Sequence, residues 1–150
     1  MNAPVKPNVI VMAEDDIDDQ LLVKEALAEC NWDADLRFVE NGEELLDYLL
    51  HRGKYEATNA SPRPGLILLD LNMPRKDGRS VLREIKGTEE LRRIPVVVLT
   101  TSKADTDIET IYQLGANSFI SKPVQFDGLV NLMRLLGQYW FQAVQLPFLK

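Results

Sequence analysis

Short apolar runs alternate with one-sided helical stripes along the whole chain, and this alternation limits the possible folds more than any other feature. The runs are Val9–Ala13, Asp35–Val39, Leu66–Leu69, Pro95–Leu99 and Asn117–Ser121. Runs this short and apolar suit strands buried on both faces. Between them lie stripes with helical spacing. Leu22, Val23, Ala26, Leu27 and Cys30 form the first; Leu45, Leu46, Leu49 and Leu50 form the second. Val81, Leu82 and Ile85 point inward from a predicted helix over Gly78–Lys86. A fourth helix is predicted over Asp105–Leu114 and a fifth from Phe126 to about Val144. Strands that alternate with helices need right-handed crossovers, which predicts a doubly wound α/β domain built on a parallel sheet.

Local signals agree with this alternation. Asn41 can cap the second helix, with Glu43 and Glu44 in the first turn where the helix dipole favours anions. Asp105 is a candidate cap for the fourth helix, and Gly115 is its expected stop. The stretch RGKYEATNASPRPG has no period and reads as a loop. Cutting the chain there leaves two halves with too few strands. The expected organisation is therefore a tail over 1–7 and one domain over 8–150.

Composition excludes several classes. A net charge of −6 argues against a nucleic-acid partner. One cysteine, Cys30, rules out an internal disulfide framework. No 18-residue apolar run occurs, and MNAPVKPN has no signal-peptide core. The expectation is a cytoplasmic protein without a membrane span.

The stretch MAEDDIDDQ sets five acids directly after the first strand. Asp16 can cap the following helix, and Asp18 and Asp19 suit its first turn. Glu14 and Asp15 have no such local role. In an open α/β sheet, ligands bind beyond the carboxyl ends of the strands. There, strand one delivers Glu14 and Asp15, and strand three delivers Asp70. Strand four delivers Thr100 and Thr101, with Ser102 next, and strand five delivers Lys122. Like carboxylates ~5 Å apart repel by roughly 3 kcal/mol per pair at an effective dielectric of about 20. A divalent cation among them relieves this, and an all-oxygen set suits Mg²⁺. Lys122 adds a second positive charge, leaving a neutral rim able to accept a phosphoryl group.

The ordered set AEDD, LLLDLNMPRKDG, VVVLTTS and FISKP resembles the receiver domain of two-component response regulators, over about residues 8–137. The resemblance implies a flavodoxin-like five-stranded sheet of order 2-1-3-4-5. It implies that Asp70 accepts a phosphoryl group from a phosphohistidine on a sensor histidine kinase. Glu14 and Asp15 match metal-binding acids, and Asn72 the residue whose carbonyl completes the Mg²⁺ site. Thr100 matches the switch hydroxyl, Phe119 the aromatic that changes rotamer, and Lys122 the phosphate-contacting lysine. The resemblance implies that Asn72 and Ser102 hold positions that tune hydrolysis of the acyl phosphate. The resemblance also implies a cis Lys122–Pro123 bond. Glu14 stands where many members carry Asp.

The last segment is unusually apolar. Phe126, Leu129, Val130, Met133 and Leu136 suffice to pack on the sheet. Leu132, Leu135, Tyr139, Trp140 and Phe141 spread apolar surface further round the helix. This predicts a symmetric homodimer through the C-terminal helix face, the alternative being a tail folded back on its own domain. The 51–65 loop and this tail resemble single-domain regulators paired with bacterial and cyanobacterial phytochromes. A Mg²⁺-dependent phosphohydrolase or nuclease would use the same acids, and a flavin-binding electron carrier would share the fold. His51 reads as a surface residue at a helix end and Cys30 as packing in the first helix. The basic residues within 75–93 read as a solvated face.

Overall fold

The computed structural model describes residues 9–30, 34–57, 61–101 and 105–147. The tail over 1–7 and Ser102 lie outside the described residues. Five parallel strands form one sheet: β1 (Val9–Ala13), β2 (Asp35–Val39), β3 (Leu66–Leu69), β4 (Val96–Thr100) and β5 (Ser118–Ser121). Their order is β2-β1-β3-β4-β5, the doubly wound order expected. β1, β3 and β4 are buried at every position, whereas the edge strands β2 and β5 are only partly buried.

The helices are α1 (Ile17–Glu29), α2 (Gly42–Leu50), α3 (Gly78–Gly87), α4 (Asp105–Gln113) and α5 (Phe126–Gly137). Alternate strand residues feed two cores. Val11, Ile67 and Val98 meet Leu45, Leu82 and Ile111 on one side of the sheet. Ile10, Leu68 and Val97 meet Val23, Leu129 and Met133 on the other, where α1 and α5 pack. Each fully buried aliphatic side chain contributes roughly 1.5–3 kcal/mol.

Caps form where the sequence places them. Asn41 Oδ1 accepts from the Glu44 amide at 2.8 Å. Asp16 Oδ1 accepts from the amides of Asp18 at 2.8 Å and Asp19 at 3.3 Å. Gly115 has φ 105°, a left-handed conformation that suits a helix stop. Asp105 is the first residue of α4, and its side chain lies outside the described set.

Two stripes need correction. Leu22 is 43% exposed, so α1 buries Val23, Ala26 and Leu27 instead. At the C-terminus, α5 ends at Gly137 and a π-helical turn takes over from Gln138 to Ala143. That wider turn brings Trp140 and Phe141, with Leu132, against the α1–α5 core. Leu135 and Tyr139 remain exposed. The tail thus partly folds back on its own domain.

The stretch after α2 is a fastened loop. It holds one 3₁₀ turn, Gly53–Tyr55. Tyr48 donates to the Pro62 carbonyl at 2.8 Å, and Tyr55 donates to Glu44 Oε2 at 2.5 Å. His51 ends α2 in a left-handed conformation, its Nδ1 2.9 Å from the buried Ser61 hydroxyl. His51 is therefore at the helix end, as read from sequence, but it also anchors the loop. In the basic segment, Arg75 pairs with Glu43, Lys76 with Glu84 and Arg79 with Asp107. Lys86 donates to the Arg92 and Ile94 carbonyls.

Candidate phosphoacceptor and metal site

Strand register builds the site. Ala13 pairs with Leu69, so the next residues, Glu14 and Asp70, leave the sheet side by side. The Asp70 amide donates to the Ala13 carbonyl at 3.2 Å and the Glu14 amide to the Val39 carbonyl at 2.9 Å. On the other side, the Lys122 amide donates to the Thr100 carbonyl at 2.9 Å, holding the end of β5 against the end of β4. The chain leaves β1 towards β2 on one side and β3 towards β4 on the other, so this rim lies at the switch in strand order.

Glu14, Asp15 and Asp70 offer carboxylate oxygens that all lie within 4.8 Å of one another. Glu14 is 1% exposed and Asp70 is 5% exposed, while Asp15 faces solvent. Two buried carboxylates without a counter-charge cost several kcal/mol each. Lys122 supplies that charge. Its ammonium forms a close ion pair with Glu14 Oε1 and lies 3.3 Å from Asp70 Oδ2. It also lies 3.3 Å from Asp19 Oδ2. The three N–H donors of an ammonium thus face three carboxylates.

Burial pushes the Glu14 carboxyl up to about 7, and the hydrogen bond and charge of Lys122 pull it back only in part. Burial acts to lower Lys122. The hydrogen bond to Glu14 and the charges of Asp70, Glu14 and Asp19 outweigh it, so the ammonium is held above the ordinary lysine range. The close contact describes an ammonium–carboxylate pair. An oxygen-only set with one open, solvent-facing member fits a hard divalent cation that keeps some of its water.

Asp70 is fixed by its surroundings. The Asn72 amide donates to Asp70 Oδ1 at 3.2 Å. Gly78 opens α3 directly beneath; a Cβ there would lie 2.8 Å from the Asp70 carbonyl oxygen and 2.8 Å from Leu71 Cα. Thr100 is fully buried at the end of β4. Val98 pairs with Phe119, so Thr100, two residues on, shares its sheet face with that ring. Phe119 is half-buried, packed against the core on that face.

The predicted site residues Glu14, Asp15, Asp70 and Lys122 converge, and Asn72 and Thr100 adjoin them. Phe119 stands back along β5. The Lys122–Pro123 bond is trans, since no described peptide bond is cis. Trans is the lower-energy isomer for X–Pro by about 0.5–1 kcal/mol, and Lys122 reaches Glu14, Asp19 and Asp70 from it. The residue missed from sequence is Asp19. Its first-turn position gave it a sufficient local role, and only the fold brings Lys122 to it.

Residues 10–134 match the response regulator receiver domain family. Response regulator Rcp1 of Synechocystis is 42% identical over 141 residues, covering 94% of each chain. The crystal structure of Mn²⁺-bound Rcp1 superposes with a TM-score of 0.85 over 95% of this chain and 100% of that one. The phosphorylated cyanobacterial phytochrome response regulator RcpA is 40% identical, with a TM-score of 0.86 over 94% of this chain and 99% of that one. RPA3017, described in red light signalling of R. palustris, is 37% identical, with a TM-score of 0.89 over 94% of this chain and 99% of that one. The comparisons give no support to a phosphohydrolase or nuclease. With strand order, acidic rim and ordered motifs in agreement, the chain belongs to the response regulator receiver domain family.

Proposed function

We propose that this chain takes a phosphoryl group onto Asp70 from a phosphohistidine of a phytochrome-type sensor histidine kinase. Support comes from the family match and from relatives described as phytochrome response regulators. The observation that carries the reading is Lys122, poised between Glu14 and Asp70 beside a three-carboxylate cluster.

In the proposed step, an Asp70 carboxylate oxygen forms a bond to phosphorus. The P–N bond to the donor histidine breaks, and its electron pair returns to the imidazole. Lys122 donates to one phosphoryl oxygen and Thr100 to another, each such charge-assisted bond contributing roughly 1.5–3 kcal/mol. Glu14, Asp15 and Asp70, with the Asn72 carbonyl, would hold Mg²⁺. A bound divalent cation neutralises the carboxylates and polarises the phosphoryl group. Hydrolysis by water then returns Asp70 to its free form. The chain acts as a phosphoacceptor that promotes its own phosphotransfer and dephosphorylation, with no turnover of external substrate.

Thr100 drawn towards the phosphoryl group vacates space into which Phe119 rotates. Phe has no hydroxyl to satisfy when buried. The chain pairs with a second copy through the C-terminal helix face, where Leu135 and Tyr139 are each 55% exposed beside a groove of about 420 Å³ between β5 and α5. We place the protein, as one receiver domain over 8–150, in the cytoplasm; no described helix is long and apolar enough to cross a membrane. Its net charge of −6 disfavours nucleic acid.

The test is intact-mass measurement after incubation with Mg²⁺ and acetyl phosphate. One phosphoryl adduct, absent in Asp70→Asn, is expected. An adduct that persists in Asp70→Asn, or catalytic turnover of external phosphoesters, overturns the reading.

A further inference from the structure

Lys122 divides its three N–H donors among Glu14, Asp70 and Asp19, and these partners are not equivalent. Glu14 and Asp70 belong to the cluster of close carboxylate oxygens, while Asp19 does not. A divalent cation and the ammonium therefore compete for the same two carboxylates, and they repel each other. Asp19 stands outside that contest. It sits in the first turn of α1, its amide bonded to the Asp16 cap at 3.3 Å. Its side chain is 39% exposed, whereas that of Lys122 is 14% exposed.

We propose that Asp19 is a positioning residue that retains the Lys122 ammonium at the rim when a divalent cation takes over Glu14 and Asp70. This rests on the reading of Glu14, Asp15 and Asp70 as the metal set. Cation entry costs the ammonium two partners. With Asp19 present, the third partner remains and Lys122 stays within reach of an incoming phosphoryl oxygen. Without it, the ammonium has to hold Glu14 and Asp70 against the cation or leave the rim unpaired, so cation entry costs more. Asp19 thus favours metal binding without being a ligand, and it acts through Lys122. A first-turn role alone would involve the backbone of α1 and leave the cation's affinity untouched.

The experiment is a double-mutant cycle on the full chain, with Mn²⁺ affinity read from the electron paramagnetic resonance signal of free Mn²⁺. Asp19→Asn is expected to weaken Mn²⁺ binding about five-fold when Lys122 is present, the scale of a partly exposed ion pair. In a Lys122→Met background the same change should alter affinity less than about 1.5-fold. Asp19→Glu should restore binding, and circular dichroism checks that every variant folds. An equal loss in both backgrounds would reveal a through-space charge effect and overturn the proposal. So would no loss in either. If the unmodified protein binds no Mn²⁺, the metal reading itself fails, a result separable from a failure confined to Asp19.

Discussion

Asn72 Nδ2 lies 3.4 Å from Thr100 Oγ1, so a residue two positions past Asp70 holds the buried hydroxyl at the end of β4. Phosphorylation would offer that hydroxyl a stronger, charged acceptor. With beryllofluoride and Mg²⁺ as a phosphoryl mimic, a fluorine label at Phe119 should therefore shift in the nuclear magnetic resonance spectrum. In Thr100→Ala the mimic should bind but the label should stay still. An unmoved label in the unmodified protein removes Phe119 from the switch.

The tight seat of α3 gives a second prediction. A Cβ at Gly78 would collide with the backbone of Asp70 and Leu71 at 2.8 Å, and backbone cannot yield as a side chain tip can. Gly78→Ala should destabilise the fold by about 1–3 kcal/mol and slow phosphorylation by displacing Asp70. Urea unfolding and the rate of adduct formation check both effects.

Tyr55 and Glu44 carry a pH-dependent part of the stability. Burial acts to raise the Glu44 carboxyl, but hydrogen bonds from Tyr55, the Glu40 amide and Lys54 outweigh it and hold it below its ordinary value. A depressed carboxylate contributes stability above its unfolded pKa and loses it as pH falls through the folded one. Tyr55→Phe should cost about 1.5 kcal/mol at pH 7. The gap between the two proteins should narrow as pH falls below the ordinary glutamate range and Glu44 takes up its proton in both. Urea melts at several pH values measure it; a gap that widens in acid refutes the assignment.

The exposed pair Leu135 and Tyr139 gives the assembly prediction. Leu135→Glu combined with Tyr139→Glu should shift sedimentation from dimer to monomer while leaving the melting temperature within a few degrees, since neither side chain is buried in the single chain. Unchanged sedimentation would move the interface elsewhere.

Strands β1, β3 and β4 were legible because each is short and, but for Thr100 at the end of β4, wholly apolar. Their carboxyl ends then placed Glu14, Asp70 and Thr100 on one rim without further information. Lys122 was legible only in combination with those ends; alone, a lysine after a weak edge strand reads as a solvated surface residue. Asp19 was hidden because a local explanation was already adequate and its partner lies 103 positions away. The fold-back of Trp140 and Phe141 was foreseen as the alternative to a dimer, but the π-helical turn that achieves it was not. A stripe read at 3.6 residues per turn cannot anticipate a change of helical pitch.

That change of pitch has a consequence for anything attached beyond it. The Val144 amide bonds to the Tyr139 carbonyl, five residues back, at 3.0 Å. The wider turn spends an extra residue per revolution. A rigid helix fused after Ala143 would therefore emerge at an azimuth that extrapolation from Gly137 gets wrong. Deleting Gln138 would swing the rings of Tyr139, Trp140 and Phe141 around the axis, exchanging a ring that faces inward for one that faces out.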